Sequence, residues 1–341
     1  MTEKQVKRIG VLTSGGDAPG MNAAVRAVVR TAIGEGIECV GIRRGWNGLI
    51  NNDFMLLDAS SVSHIINKGG TMLYTARSDD FRVDGGREKA LNCCKLLGLD
   101  AIVAIGGDGT FRGAQALSEQ AAKSGMPLQV VGIPATIDND IGCSQYTIGF
   151  DTACNTAISC IDRLRDPMQS HERCSVVEVM GRNAGYLAMY VGLAIGATAV
   201  LVPEEPIDFE RDVIEKIRQA RFNGFTHYMI VVAEGAGSAM EFAKQIREDV
   251  GIDPRVTVLG HIQRGGAPTG RDRETASRMG YEAVMALKEN KGNCVIAYQN
   301  GCILDIPMKE AFQMTKTLDM ERCSVLEALT NRSANRGLEL F

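Results

Sequence analysis

Histidine, tryptophan and net charge are all in short supply in this 341-residue chain: four His, one Trp, 5% aromatic residues in total and a net charge of −4. Single-strand binders need aromatic platforms for base stacking, and backbone binders need an excess of Lys and Arg. A nucleic-acid partner is therefore not expected. Long apolar runs are missing as well. The stretch nearest to membrane length, Tyr186 to Val202, is interrupted by Gly192, Gly196 and Thr198, so no membrane span is expected. The start, Met1 to Arg8, is charged and carries no apolar segment of the kind an export signal needs, which points to a cytoplasmic protein. Ten cysteines are present without a CxxC pair, and a core of this size needs no stapling, so they read as reduced thiols. Adjacent Cys93 and Cys94 are taken as small buried hydrophobes without chemistry. The four histidines, His64, His171, His227 and His261, do not fall at HExxH or other ligand spacing, so no protein-held zinc site is expected.

What is present is alternation. Short apolar runs at Arg8–Leu12, Cys39–Ile42, Ala101–Ile105, Leu128–Ile133, Cys174–Met180, Ala197–Val202, Tyr228–Ala233, Val256–Leu259 and Cys294–Tyr298 read as buried strands. Helical stripes lie between them, such as Val25, Val28, Val29 and Ala32, or Ala276, Met279, Gly280 and Ala283. The pattern is α/β with mainly parallel sheets. No low-complexity linker marks a boundary, and the strand–helix count ends a first unit near Phe150.

In such folds ligands collect where strands open into helix N-termini. Two of these turns echo each other, LTSGGD at Leu12–Asp17 and IGGDGT at Ile105–Thr110. In SGGDAPGMN, the glycines at 15, 16 and 20 let backbone N–H groups approach a phosphate, or they make a tight packing turn and nothing more. In GGDGT, Asp108 would repel a bare anion. It suits either a divalent ion standing between it and phosphates or a simple Asx-type turn. ATIDND at Ala135–Asp140 places two carboxylates two residues apart, on one side of an extended loop, as a base and an orienting or metal-binding group, or as a solvated turn. Arg77, Arg173, Arg182, Arg255 and Arg264 lie on glycine-rich or strand-end segments, where a guanidinium either captures phosphate bidentately or is only solvated. Glu234 ends an apolar strand and suits a hydroxyl.

The segments SGGDAPGMNA, IGGDGT, TIDNDI, TIGFDTA, SVVEVMGRNAG and GHIQRGG, in this order, closely resemble the ATP-dependent 6-phosphofructokinases of the bacterial type, from about Arg8 to Cys323. The resemblance implies two similar doubly wound domains with the active site in the cleft between them. Residues 1–149 plus about 262–315 would bind ATP, and 150–261 plus about 316–341 fructose 6-phosphate. It implies a glycolytic transferase moving the ATP γ-phosphoryl group to the sugar 1-hydroxyl with Mg²⁺. Asp138 would be the general base, with Arg182, Thr136, Gly16 and Arg77 also at the reacting centre. Thr136, Met180, Gly181, Arg182, Glu234, His261 and Arg264 would hold the sugar, and Arg173 and Arg255 would reach in from a neighbouring subunit of a homotetramer. Gly16, Arg77, Ser78 and Gly107, Asp108, Gly109 and Thr110 would hold the nucleotide, with the metal at Asp108.

Pyrophosphate-using relatives tend to carry Asp at the position of Gly109 and Lys at that of Ala135, so ATP is the expected donor; Ala135 itself replaces the usual Gly. Arg26, Arg30 and Arg165 match an effector site, but Ala59, Thr198, Asn223 and Phe225 replace its other charged residues, so a weak response to ADP or phosphoenolpyruvate is expected. The rival readings are a pyrophosphate-dependent or donor-promiscuous relative and a non-catalytic metabolite sensor. NAD and diacylglycerol kinases share GGDGT but not the other segments.

Overall fold

A computed structural model of the chain describes residues 5–171 and 173–330. The tail 331–341, assigned above to the sugar-binding domain, lies outside the described residues, as do residues 1–4. The described residues form two compact units, 5–152 with 264–316, and 153–263 with 317–330. In chain order the first unit contains β1 (Arg8–Ser14), α1 (Met21–Gly34), β2 (Glu38–Ile42), α2 (Trp46–Asn51), β3 (Phe54–Leu57), α3 (Asp84–Leu97), β4 (Ala101–Gly106), α4 (Asp108–Lys123) and β5 (Gln129–Pro134). Helix α5 (Phe150–Ser170) carries the chain into the second unit, which contains β6 (Cys174–Val179), α6 (Tyr186–Ile195), β7 (Ala199–Leu201), α7 (Glu215–Phe222), β8 (Tyr228–Ala233), α8 (Ala239–Val250) and β9 (Arg255–Val258). The first unit resumes with α9 (Gly270–Lys288), β10 (Cys294–Gln299), β11 (Cys302–Pro307) and α10 (Met308–Ala311), and α11 (Met320–Thr330) belongs to the second.

The first unit is built on a seven-stranded sheet of order β11-β10-β5-β4-β1-β2-β3. Its central strands are continuous apolar runs because both faces are covered: Ile9, Val11, Ile102, Val103, Val131 and Ile133 are wholly buried. Helices α1 and α9 pack together at short range, since a Cβ on Gly280 would sit 2.6 Å from the Cβ of Ala27. The two edge strands, β3 and β11, pair antiparallel and were not among the expected strands. Their residues are mostly half-exposed or exposed, with Leu56 75% open to solvent, so neither carries the continuous buried signature. With β3 counted, the strand leading into IGGDGT is the fourth rather than the third. The second unit has a four-stranded parallel sheet of order β7-β8-β6-β9 around Val176, Ile230, Val232, Ile217 and Ile246. No helix among the described residues is long and apolar enough to cross a membrane.

Candidate active site

In the first unit, strand register brings the three candidate turns together. Ser14 pairs with Gly106 and Gly106 with Pro134, so SGGD, GGDGT and TIDND leave the sheet side by side at its carboxyl edge. Gly106 makes the closeness possible: a Cβ there would lie 2.4 Å from the Ser14 carbonyl oxygen and 2.5 Å from the Thr110 hydroxyl. That hydroxyl donates to the same Ser14 carbonyl at 3.0 Å. Gly15 and Gly20 have φ of 94° and 110°, which glycine tolerates without a steric cost. The loop carrying Arg77 and Ser78 is tied to this edge. Asn22 donates to the Lys68 and Gly70 carbonyls and accepts from Met72 N–H, while Thr75 donates to the Gly15 carbonyl at 2.7 Å. Arg77 is exposed, and the buried Ser78 hydroxyl has no hydrogen-bond partner among the described residues.

Asp108 opens α4, and its carboxylate pairs with Arg112 one turn on, at 2.7 Å. Next to it, no atom lies within 4 Å of where a Cβ on Gly109 would stand; the start of this helix faces open space. Ala135, by contrast, is buried, with its N–H on the Gly106 carbonyl. Asp138 is 6% exposed, and its backbone N–H donates to the Thr136 hydroxyl at 3.2 Å. The Arg264 guanidinium lies 3.9 Å from the Asp138 carboxylate and donates to the Asp17 carbonyl at 3.1 Å. A Cβ on Gly16 would come within 2.6 Å of the same guanidinium. Gly16, Asp138 and Arg264 thus form one cluster.

The expected extended geometry of TIDND is not found. Asn139 takes a left-handed conformation, φ 53°, and the alternation that would put both carboxylates on one side is broken there. Asp138 faces Arg264, whereas Asp140 lines a cavity of about 370 Å³ together with Asp108, Arg112, Cys143 and Lys316. Among the described residues no three His, Cys, Asp or Glu side chains gather into a metal-holding group.

In the second unit the candidates fall at two opposite ends of the sheet. Met180, Gly181 and Arg182 follow β6, Glu234 follows β8 and His261 follows β9, all at the carboxyl edge. Gly181 and Arg182 both have positive φ, 146° and 58°. Their turn is held by Glu234, one carboxylate oxygen of which accepts the N–H of Gly181 at 3.2 Å and of Arg182 at 2.6 Å. Glu234, expected to meet a hydroxyl, therefore also shapes the Arg182 turn. Gln263 was not singled out from the sequence. It is wholly buried, its carbonyl accepts from Met180 N–H at 2.9 Å, and its side-chain NH₂ has no partner among the described residues. The only hint was its place inside GHIQRGG. Arg173 and Arg255 lie at the other end: Arg173 precedes β6, Arg255 opens β9, and Ser175 pairs with Arg255. A six-residue strand spans roughly 20 Å, so within one chain these two arginines do not join Met180 and Arg182.

Of the effector candidates, Arg26 and Arg30 sit on α1, while Arg165 on α5 donates to the Ile195 carbonyl. Thr198 N–H donates to the Met229 carbonyl and its hydroxyl accepts from the Met229 N–H, and Phe225 is 58% exposed. All ten cysteines are free thiols. Burial pushes Cys39 and Cys94 up to about 12, in keeping with thiols that take no part in chemistry.

Residues 8–287 match the family described as Phosphofructokinase. A Clostridium botulinum protein named ATP-dependent 6-phosphofructokinase is 49% identical over 325 residues, covering 95% of this chain and 100% of the relative. Another, named ATP-dependent 6-phosphofructokinase 1, from Clostridium perfringens, is 52% identical over 314 residues, 92% of this chain and 96% of the relative. Among solved structures, phosphofructokinase from Saccharomyces cerevisiae matches 95% of this chain with a TM-score of 0.84 and 33% identity. This chain spans 46% of that longer one. A pyrophosphate-dependent phosphofructokinase from Marinobacter aquaeolei matches 95% of this chain and 92% of its own, with a TM-score of 0.82 at 21% identity, a likeness of fold alone.

Proposed function

The chain belongs to the phosphofructokinase family and is an ATP-dependent kinase of fructose 6-phosphate, and we propose that Asp138 is the general base of its phosphoryl transfer. The observation that carries this reading is the register of β1, β4 and β5, which sets two glycine turns, Asp108 and the buried Asp138 on one sheet edge. Asp138 takes the proton of the sugar 1-hydroxyl as its oxygen bonds to the γ-phosphorus. The bond from phosphorus to the bridging β,γ-oxygen breaks, and ADP leaves with the electron pair. Positioning and charge stabilisation then supply most of the acceleration.

The first unit binds the nucleotide. Ser78, Gly107, Asp108, Gly109 and Thr110 lie along it, and the open space at Gly109 admits an α-phosphate. Gly16, Arg77 and Arg182 meet the charge on the moving group. The sugar phosphate is bound through Met180, Gly181, Arg182, Glu234, His261, Thr136 and Arg264. Asp108 and Asp140 line one cavity and are the carboxylates that would hold Mg²⁺, an ion that takes one or two carboxylates and completes its shell with water and phosphate oxygens. When bound, it offsets the negative charge of those phosphates. Arg173 and Arg255, at the far end of their sheet, complete the site of a neighbouring copy in a homotetramer. The setting is cytoplasmic glycolysis.

Initial rates with fructose 6-phosphate and Mg²⁺, comparing ATP with pyrophosphate at matched concentrations through a coupled assay for fructose 1,6-bisphosphate, test the reading. Turnover with ATP alone is expected. A rate mainly with pyrophosphate would overturn the donor assignment, and silence with both would favour a sensor.

A further inference from the structure

The strap that follows α10 holds the loop bearing Asp138 and Asp140, and it does so through one ammonium group. Lys316 Nζ donates to the carbonyls of Asn139 at 2.8 Å, Ser144 at 3.0 Å and Gln145 at 3.2 Å. A lysine ammonium has three N–H donors in all, so each has an acceptor within this single loop. The loop and the strap are shaped to meet. A Cβ on Gly142 would lie 2.0 Å from the Met314 carbonyl oxygen and 2.7 Å from its carbon; only glycine lets the backbone at 314–315 come this close.

The loop's far end has its own anchors. Gln145 N–H donates to the Tyr298 carbonyl, the Ser144 hydroxyl accepts from Tyr298 N–H, and the Gln299 amide donates to the Cys143 carbonyl. The near end is different, because Asn139 stands between the two carboxylates in a left-handed conformation that L-residues disfavour. Its side chain is held by longer contacts, 3.4 Å to the Gln145 carbonyl and 3.3 Å from the Thr147 hydroxyl. Its carbonyl, which belongs to the peptide joining it to Asp140, is held by Lys316 at 2.8 Å.

From this we infer that Lys316 is a positioning residue for the phosphoryl transfer: it fixes the left-handed turn at Asn139 and thereby aims Asp138 at the sugar hydroxyl and Asp140 into the cavity shared with Asp108. The inference rests on the role of Asp138 given above. Lys316 lines the same cavity, but with its three N–H donors on backbone carbonyls of the loop it acts through that loop. Its loss therefore disturbs the aim of the base, which matters in the transition state, more than ground-state binding on other strands.

The test is steady-state kinetics of the full-length wild type, Lys316→Met and Lys316→Arg with ATP and fructose 6-phosphate, each variant checked for folding by circular dichroism. Lys316→Met should lower kcat by about 10- to 100-fold while KM for both substrates stays within about 3-fold. Lys316→Arg, which keeps the charge and offers part of the hydrogen bonding, should recover a portion of that loss. A folded Lys316→Met with unchanged kcat, or one whose KM values rise as much as kcat falls, overturns the inference. If Lys316→Met does not fold, Lys316→Arg decides alone: reduced kcat at constant KM supports positioning, and wild-type kinetics overturn it. A wild type silent with ATP would overturn the kinase reading itself, whereas an active wild type beside an unimpaired variant overturns this inference only.

Discussion

Asp272, wholly buried near the start of α9, gathers four hydrogen bonds: from the Tyr146 hydroxyl, Gly149 N–H, Thr152 N–H and the Thr152 hydroxyl. It thereby clamps the end of TIGFDT to α9, yet nothing in the charged run RDRE marks it as different from a solvated helix start. Burial raises its pKa, and the four donors only partly offset that. The native state therefore holds the proton to a higher pH than the unfolded chain, whose carboxylate titrates near about 3.9. The stability this supplies is complete below the ordinary carboxylate value and is lost as pH rises through the raised native one. Asp272→Asn should cost on the order of 3 kcal/mol, because its NH₂ turns toward donors. It carries no titration, so in urea unfolding across acid pH the gap between wild type and variant should narrow as pH rises. A gap that widens would contradict the assigned direction.

At the level of elements, the inner strands were readable because strands covered on both faces must be apolar throughout. The edge strands of the first sheet were not, since β3 and β11 pair on one side only and leave most of their positions half-exposed or exposed. The three site turns were readable for a related reason: each interrupts an apolar run with glycine or acid, a combination that packing alone does not demand. Their internal geometry was less so. The alternation assumed for TIDND fails at Asn139 because asparagine reaches the left-handed region that most residues avoid, and the two-residue spacing of the carboxylates carries no sign of it. Glu234 and Gln263 show the same limit. Each uses a side-chain oxygen on the backbone of Met180–Arg182, a contact between segments far apart in sequence that periodicity cannot register.

For the whole molecule, the position of Arg173 and Arg255 is decisive. They lie at the amino end of β6 and β9, and Arg255 is exposed beside Asp253. If they serve a neighbouring copy, a site needs Asp138 from one chain and Arg255 from another. Chains carrying Asp138→Ser alone or Arg255→Ala alone are each impaired, but in mixed oligomers some sites combine an intact Asp138 with an intact Arg255. Co-expressed, differently tagged variants should therefore show activity at low fructose 6-phosphate above the sum of the two pure forms. Purified mixed oligomers with no such gain would contradict sharing.

Turnover by Asp138→Ser tests the central claim most directly, since it removes the carboxylate that is to take the proton and leaves the nucleotide turns untouched. With saturating ATP, Mg²⁺ and fructose 6-phosphate, kcat should fall by ~10²–10⁴ while nucleotide binding, followed by calorimetry, persists. A folded, nucleotide-binding Asp138→Ser that turns over at the wild-type rate would contradict the role of Asp138 as the base.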